Sequence, residues 1–213
     1  LKKIEKSLVN ITNCIINTKN GLYKKDLNKS KLLSVKFNDI VNSDLSLIDK
    51  IYWLIKDVKR YGTLPFAGVA RAGFIAMQFL NSFVEKNIIT IDEYNKFLKS
   101  LSTVSKQLSR DVKTIPKKEF LKIYGHLRPG TYDILSPRYD ESYDIYFKNK
   151  HDKNYFKNDL FNFSVPQKNK INNLIIKNKL NTNFKELIIF IKESIEGREY
   201  VKFLFTRHLS QIL

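Results

Sequence analysis

The stretch that decides the fold is residues 62–80, GTLPFAGVARAGFIAMQFL. From residue 66 to residue 80 only Arg71 and Gln78 are polar, and a helix that is apolar on all sides is expected at the centre of an all-α protein. Gly62 and Pro65 are expected to end the preceding helix just before this one begins. Its small residues permit close helix packing or leave room for a ligand; they are Ala67, Gly68, Ala70, Ala72, Gly73 and Ala76.

Arg71 and Gln78 are seven positions apart, so a helix places them on one face. A charged side chain in such an apolar helix needs a partner or a cavity, because burying an unpaired ion is costly. Two interpretations stay open. Either Arg71 and Gln78 line a ligand pocket, or Arg71 forms an ion pair with an acid on a neighbouring helix.

Helical spacing also dominates the flanking sequence. The apolar residues of segment 46–61 fall on one helix face; they are Leu47, Ile48, Ile51, Tyr52, Leu54, Ile55 and Val58. Thr90 and Glu93 form a capping box for one helix that is expected to continue to Val112.

The remaining segments complete an all-α prediction. Pro116 starts a short helix to Tyr124, and residues 166–180 and 183–213 form the last two helices. Only residues 143–147 alternate as a strand would. Turn residues predict an irregular loop segment around residues 125–165. The fold class is therefore predicted to be an irregular multi-helix bundle.

Length and cysteine content set the class of protein. A chain of 213 residues can bury roughly 70% of its unfolded surface, so we expect a single domain over residues 1–213. Residues 1–45 either pack on that domain or form an N-terminal extension. The single cysteine, Cys14, and the lack of a signal peptide or a membrane-length apolar run predict a soluble, cytoplasmic protein. The missing first Met and the unbroken last helix indicate a piece of a longer protein.

The formal net charge of +17 invites a nucleic-acid interpretation. The excess comes from lysines scattered along every predicted helix, and no nucleic-acid motif accompanies them, so this interpretation is disfavoured. Only seven of the 38 basic residues are arginines. Guanidinium groups offer a rigid fork of donors for carboxylate or phosphate, and lysine cannot copy this fork.

A second special segment is residues 124–141, YGHLRPGTYDILSPRYDE. Rigid turns that present His, Arg, Tyr and Asp suit an anionic or zwitterionic small molecule, because Arg holds carboxylate or phosphate and Asp holds an amine. The candidate residues are His126, Arg128, Tyr132, Asp133 and Arg138. In the alternative interpretation Asp133 pairs with Arg138 and His126 caps a helix end.

Arg198 is a further candidate, because Arg198 and Lys202 fall on the apolar stripe of the last helix. Cations in such a stripe are expected to have an anionic partner. The three histidines have no metal-ligand spacing, so no metal site is predicted. Since no phosphate-cradling glycine motif occurs, no nucleotide site is predicted either. No residue of the chain is assigned as catalytic.

Residues 62–76 and 124–141, together with SIEGREYVKFLFTRHLSQIL at 194–213, resemble the central helical region of the phosphoenolpyruvate-synthase-like phosphotransferases, which include rifampicin phosphotransferase. The resemblance is closest to the capsule-associated L-glutamine kinases. It implies a region between an ATP-grasp domain and a swivelling domain with a phosphorylated histidine. This chain alone would bind no cofactor and be inactive, whereas the full-length enzyme would use ATP and Mg²⁺ to phosphorylate the amide of L-glutamine for capsule polysaccharide biosynthesis.

In this resemblance Arg71, Arg128 and Arg138 would hold the phosphoryl group and the substrate carboxylate. His126 is not the phosphorylated histidine, which belongs to another domain. Relatives commonly have His-Arg-Gly-Pro followed by an acid, whereas here Leu127 follows His126 and Thr131 stands in place of the acid.

Two other functions remain open. A purely structural linker between the ATP-grasp and phosphohistidine domains would have Arg71, Arg128 and Arg138 paired with internal carboxylates, with no cavity beside them. A basic nucleic-acid-binding module would gather its lysines on one exposed face. No membrane partner is expected.

Overall fold

The computed structural model describes residues 2–129, 133, 135–148 and 161–213, and every regular element in these residues is helical. The predicted all-α class is confirmed. A π-helical segment covers Val58–Thr63. The α-helices are α1 Lys2–Ile16, α2 Leu22–Val41, α3 Leu47–Asp57, α4 Leu64–Glu85, α5 Ile91–Ser100, α6 Val104–Thr114, α7 Lys117–Tyr124, α8 Tyr143–Phe147, α9 Val165–Lys177 and α10 Phe184–Ile212.

The chain divides into two compact units, each assembled from three separate stretches. Unit 1 contains Leu1–Ser30, Leu64–Leu101 and Asn158–Arg198, and unit 2 contains Lys31–Thr63, Ser102–Lys157 and Glu199–Leu213. Each unit has its own buried apolar cluster. The first 45 residues contribute to both units, and Ile16 and Tyr23 are buried in the core of unit 1.

In unit 1, helices α4 and α10 approach closely because both carry glycine at the contact. A β-carbon on Gly73 would lie 3.5 Å from the Ser194 carbonyl oxygen, and one on Gly197 would lie 3.6 Å from Cγ1 of Val69. Ala72 and Ala76 are fully buried in the same core. The prediction that the small residues of this stretch permit close helix packing is confirmed.

The prediction that helix α4 is buried on all sides is wrong. Phe74 is 63% exposed, and Arg71 and Gln78 are exposed as well. A helix buries the face that meets its neighbours, which here carries Ala72, Ala76 and Leu80. An all-apolar sequence cannot show which of its faces that will be.

The predicted break at Gly62 and Pro65 is also wrong, because the helical backbone runs from Leu47 to Glu85. The π-helical turn at Val58–Thr63 contains Gly62, and Pro65 is the second residue of α4. Proline lacks a backbone amide hydrogen, and its place directly after the wider π-helical turn tolerates that missing hydrogen bond. A β-carbon on Gly62 would lie 3.0 Å from Cβ of Phe205, so a small residue is needed there.

Two further elements differ from the sequence prediction. The single helix expected from Thr90 to Val112 is two helices, α5 and α6, because Thr103 caps a new helix by accepting from the amide of Lys106. Residues 143–147, the one strand-like pattern, form helix α8. The capping box of Thr90 and Glu93 is confirmed.

The stretch Leu47–Glu85 is long and apolar enough to cross a membrane by length and composition, although the sequence analysis expected no such run. Only 33% of its most apolar window is buried in the protein. Core helices of soluble proteins pass the same test, so this stretch by itself does not place the protein in a membrane.

Two phenylalanines of unit 1 provide a test of where the core lies. Phe97 is fully buried, with its ring centroid 5.9 Å from those of Phe161 and Phe163, whereas Phe74 is 63% exposed. We expect Phe97→Ala to lower the free energy of unfolding by about 3–5 kcal/mol, because it leaves a cavity. The matched control Phe74→Ala should change it by less than about 1 kcal/mol. Urea titration followed by circular dichroism measures both, and equal losses would contradict the assignment of the core.

Candidate functional site

The predicted binding loop lies in unit 2 and begins where helix α7 ends. We call residues 125–129, 133 and 135–141 the motif loop. Its two arms are held together by backbone hydrogen bonds: the amide of Tyr139 donates to the carbonyl of Leu127 at 2.9 Å, and the amide of Asp140 donates to that of Gly125 at 3.1 Å. The two arms therefore form one fixed turn next to the end of α7.

His126 is the most unusual side chain of the motif loop. Its ring centroid lies 4.9 Å from that of Phe203 on α10, and the ring forms a hydrogen bond with the backbone of Phe203. Its Nε2 atom is buried and has no hydrogen-bond partner among the described residues. Burial lowers the pKa of His126 to about 4, and the positive charges of Arg207 and Arg138 act in the same direction. The imidazole is therefore neutral at pH 7.

The alternative interpretation placed His126 as the cap of a helix end. Its backbone partner Phe203 instead lies inside α10, so the side chain does not act as a cap there. The bond to Phe203 leaves Nδ1 as the engaged ring nitrogen, since Nε2 is the one without a partner. In the tautomer that carries its proton on Nδ1, the Nε2 atom is a hydrogen-bond acceptor.

Arg138 is engaged within the motif loop. Its Nε atom donates to Asp140 at 2.9 Å, its Nη2 atom also donates to Asp140, and Glu141 lies 3.9 Å from Nε. The hydrogen bonds with Asp140 raise the pKa of Arg138. The proposed Asp133–Arg138 pair is therefore wrong. Asp140 is the nearer of the two acids along the chain, and the sequence analysis did not consider it as the partner.

Asp133 and Arg128 stabilise the same turn. Asp133 is exposed and accepts from the hydroxyl of Ser136 at 2.6 Å and from the amide of Leu135 at 3.0 Å. The hydrogen bond from Ser136 lowers the pKa of Asp133, with a smaller contribution from the charge of Arg128. Arg128 donates from Nη1 to the carbonyl of Ser136 at 2.6 Å. Tyr132, the remaining candidate of this loop, lies outside the described residues.

The other three candidates lie in unit 1. Arg71 is exposed on α4, so the expectation of a buried guanidinium is wrong. Arg198 packs its stem against Gly73 and places its guanidinium carbon 5.8 Å from the ring centroid of Phe74. An aromatic face therefore occupies the place where we expected an anion. Gln78 lines an apolar groove, but Arg71 and Arg198 do not.

That groove has a volume of about 560 Å³ and lies among α1, α4, α9 and α10. Among the residues that the structure describes, Lys86 is the one charged residue that lines it. Most of the other lining side chains are apolar, and the uncharged polar ones are Thr12, Gln78, Ser82 and Asn178. Among the described lining residues, no carboxylate and no cation besides Lys86 could bind a charged ligand together with Gln78. We therefore do not include the groove in the candidate site.

Sequence reasoning missed two residues that shape the surroundings of His126. Phe203 covers the ring, and Arg207 lowers the pKa of the imidazole. Arg207 also lies over Phe37, with its guanidinium carbon 4.4 Å from the ring centroid. Their four-residue spacing on α10 puts Phe203 and Arg207 on one helix face, and both belong to the run 194–213 that carried the resemblance. That spacing could have indicated from the sequence that Phe203 and Arg207 act together.

Within the described part of the chain, no group of three or more His, Cys, Asp or Glu side chains is arranged to hold a metal ion. No family model, curated protein or solved structure matches this chain. The family resemblance and the substrate that it implies therefore stay predictions.

The buried histidines predict how stability depends on pH. Burial lowers the pKa of both His126 and His208 to about 4, well below the unfolded value of about 6.5. Between these two pH values the unfolded chain binds more protons than the folded chain. Stability is therefore complete above about pH 6.5 and falls as the pH decreases towards 4, by at most about 1.4 kcal/mol per pH unit for each histidine.

Urea unfolding between about pH 7 and pH 5 measures this slope, because carboxyl groups titrate mostly below that range. The double variant His126→Gln, His208→Gln should show a flatter dependence, whatever its stability at pH 7. An unchanged slope in the double variant would show that other groups cause the acid sensitivity.

Gly125 allows the motif loop to start where it does. A β-carbon there would clash with the Leu121 carbonyl oxygen and lie 3.0 Å from Cβ of Asp140. Neither atom is the end of a flexible side chain, so we expect Gly125→Ala to lower the free energy of unfolding by about 1–3 kcal/mol. Gly68→Ala is the control, because its β-carbon would meet the Asp26 carboxylate, which can rotate away. Thermal unfolding compares the two, and an equal loss in Gly68→Ala would contradict the explanation.

Proposed function

We propose that this chain is the substrate-binding helical region of an ATP-dependent phosphotransferase that uses a phosphohistidine relay. Its acceptor is the side-chain amide of L-glutamine, phosphorylated in the cytoplasm for capsule polysaccharide biosynthesis. ATP-grasp and phosphohistidine domains of the same polypeptide supply the phosphoryl group. The motif residues 124–141 support the family, and the surroundings of His126 support a binding role for this loop.

The observation that carries the proposal is the free ring nitrogen of His126. A neutral imidazole whose Nε2 has no partner among the described residues can accept a hydrogen bond from a ligand. A carboxamide N–H is a suitable donor, because it is neutral and does not require the imidazole to take a proton. Leaving a buried acceptor unpaired is costly, so a site that keeps one is expected to use it.

The cations near His126 favour a ligand with negative charge. Burial lowers the pKa of Arg207, and no carboxylate among the described residues opposes this effect. Arg138 contributes a second positive charge to the surroundings of the imidazole, although Asp140 engages two of its nitrogens. Desolvated guanidinium groups stabilise a carboxylate and the charge that develops on a phosphoryl group during transfer.

A structural linker is the second candidate, and one observation favours it. A linker is expected to pair its arginines with internal carboxylates, as Arg138 does with Asp140. Arg128 instead bonds to the backbone carbonyl of Ser136, and Arg71 is exposed on α4. The charge of Arg128 acts on the Asp133 carboxyl, and that of Arg71 on the Asp26 carboxyl, so a structural role fits these two arginines as well.

His126→Gln distinguishes the two functions in the polypeptide that contains the ATP-grasp and phosphohistidine domains. Glutamine has an acceptor of similar reach but lacks the ring that packs against Phe203, so it does not hold that acceptor in a fixed position, and transfer to L-glutamine should fall by at least about tenfold while formation of the phosphohistidine continues. Radiolabelled ATP measures both steps separately. Arg128→Ala should show the same separation, because it removes a cation and loosens the Ser136 turn.

Two controls come from the same unit. His208→Gln changes another buried histidine with an unpartnered Nε2 and a pKa lowered to about 4, but His208 lies outside the motif loop. Arg110→Ala removes an exposed arginine whose pair with Asp111 contributes little to stability. Both controls should transfer normally. Loss of both steps in His126→Gln, or an equal loss of transfer in His208→Gln, would count against the proposal.

A further inference from the structure

The outer face of helix α3 in unit 2 carries large apolar side chains that the unit leaves exposed. Leu54 and Val58 face the interior and are buried. On the solvent side, the exposed fractions are 75% for Leu47, 79% for Ile48, 51% for Tyr52, 49% for Trp53 and 38% for Ile55. Helix α3 is therefore apolar on two sides, although its own unit buries only one of them.

Three of these side chains have the spacing of a helix-pairing seam. Ile48, Tyr52 and Ile55 follow one another at four and three residues, which is the a/d spacing by which one helix packs lengthwise on another. Trp53 extends the seam, and its ring packs edge-on against Tyr52 at 5.4 Å. This order is what a partner helix requires, and a scattered set of exposed apolar residues would lack it.

The charges beside the seam are arranged with opposite signs about its centre. Asp49 lies three residues before Tyr52, and Lys56 lies three residues after Trp53. Two copies of α3 packed antiparallel about a two-fold axis near Tyr52 and Trp53 would therefore bring each Asp49 to the Lys56 of the other copy. A parallel pair would place each Asp49 level with the other Asp49, about two helical turns from Lys56, so these ion pairs would not form. The charge pattern thus selects both the partner and its direction.

Both charged groups are already placed at the edge of the seam. The Lys56 Nζ atom lies 5.2 Å from the ring centroid of Tyr52. The hydroxyl of Ser46, the N-cap residue of α3, donates to the Asp49 carboxylate at 2.6 Å, which holds that carboxylate at the start of the helix. Each ion therefore needs little rearrangement to meet its counterpart on a second chain.

We propose that α3 is a homodimer contact in which its outer face packs antiparallel on the same face of a second copy of this chain. The seam consists of Ile48, Tyr52 and Ile55, and the two symmetric Asp49–Lys56 pairs fix its direction. A helix of 11 residues offers far less than the roughly 800 Å² per partner of a stable interface. The dimer is therefore weak and forms as the protein concentration rises.

A membrane surface fits the same face less well. Asp49 lies at the edge of the seam, and entry of this face into lipid would remove its carboxylate from water. The carboxylate would also be repelled by anionic headgroups. A second copy instead provides a cation for it. The two occupants respond differently to a change of charge at Asp49, and this difference makes the dimer testable.

Exchanging the charges tests the pairing directly. Sedimentation velocity on the 213-residue chain, over concentrations on the order of 10 µM to 1 mM, should show dimer increasing with concentration. Asp49→Lys alone and Lys56→Asp alone place like charges together and should each weaken dimerisation by at least about tenfold. The double variant restores opposite charges and should return to within about threefold of the original affinity.

Ile48→Asp should abolish the dimer by placing a charge in the seam. Ile145→Asp is its matched control, because Ile145 is 76% exposed on α8 and lies outside the seam. Far-ultraviolet circular dichroism checks that all variants fold. A chain that is monomeric at every concentration overturns the proposal, as does a double variant that fails to recover. Binding to anionic vesicles without dimer formation would assign the face to a membrane instead.

Discussion

The close approach of α4 and α10 is the packing constraint on which unit 1 depends. Gly73 and Gly197 leave no side chain at the contact, so the backbone of one helix meets side chains of the other directly. Leu187, Phe190 and Ile191 of α10 are then fully buried, or nearly so, in the core of that unit. The last residues of the same helix belong to unit 2, where Phe203 and Arg207 define the surroundings of His126. Helix α10 therefore contributes residues to the core of unit 1 and, in unit 2, to the surroundings of His126.

The motif loop combines groups that are satisfied with groups that are not. Arg138, Asp140 and Asp133 are hydrogen-bonded inside the loop, and these bonds hold its shape. The ring of His126 and the guanidinium of Arg207 lie beside this frame, and burial disfavours the charged form of both. Rigid turns with a few incompletely satisfied polar groups are typical of ligand sites, because their geometry exists before the ligand arrives.

Helices α3 and α4 show why apolar composition alone misleads. Both are apolar on more than one side, yet each buries a single face in its own unit. Helix α4 leaves Phe74 exposed next to a groove, and α3 leaves a seam with self-complementary charges. The surplus apolar surface of the two helices therefore has different chemical surroundings, which the hydropathy of the sequence does not distinguish.

The all-α class, the capping box at Thr90, the short helix that ends at Gly125 and the turn segment after it follow from the sequence by itself. These features depend on residues within a few positions of one another. The tertiary structure alone decided that a π-helical turn replaces a break at Gly62, that Arg138 bonds to Asp140, and that His126 lies against Phe203. Helix faces, ion pairs and buried charges depend on which distant segments pack together, and the local spacing of residues does not show which segments those are.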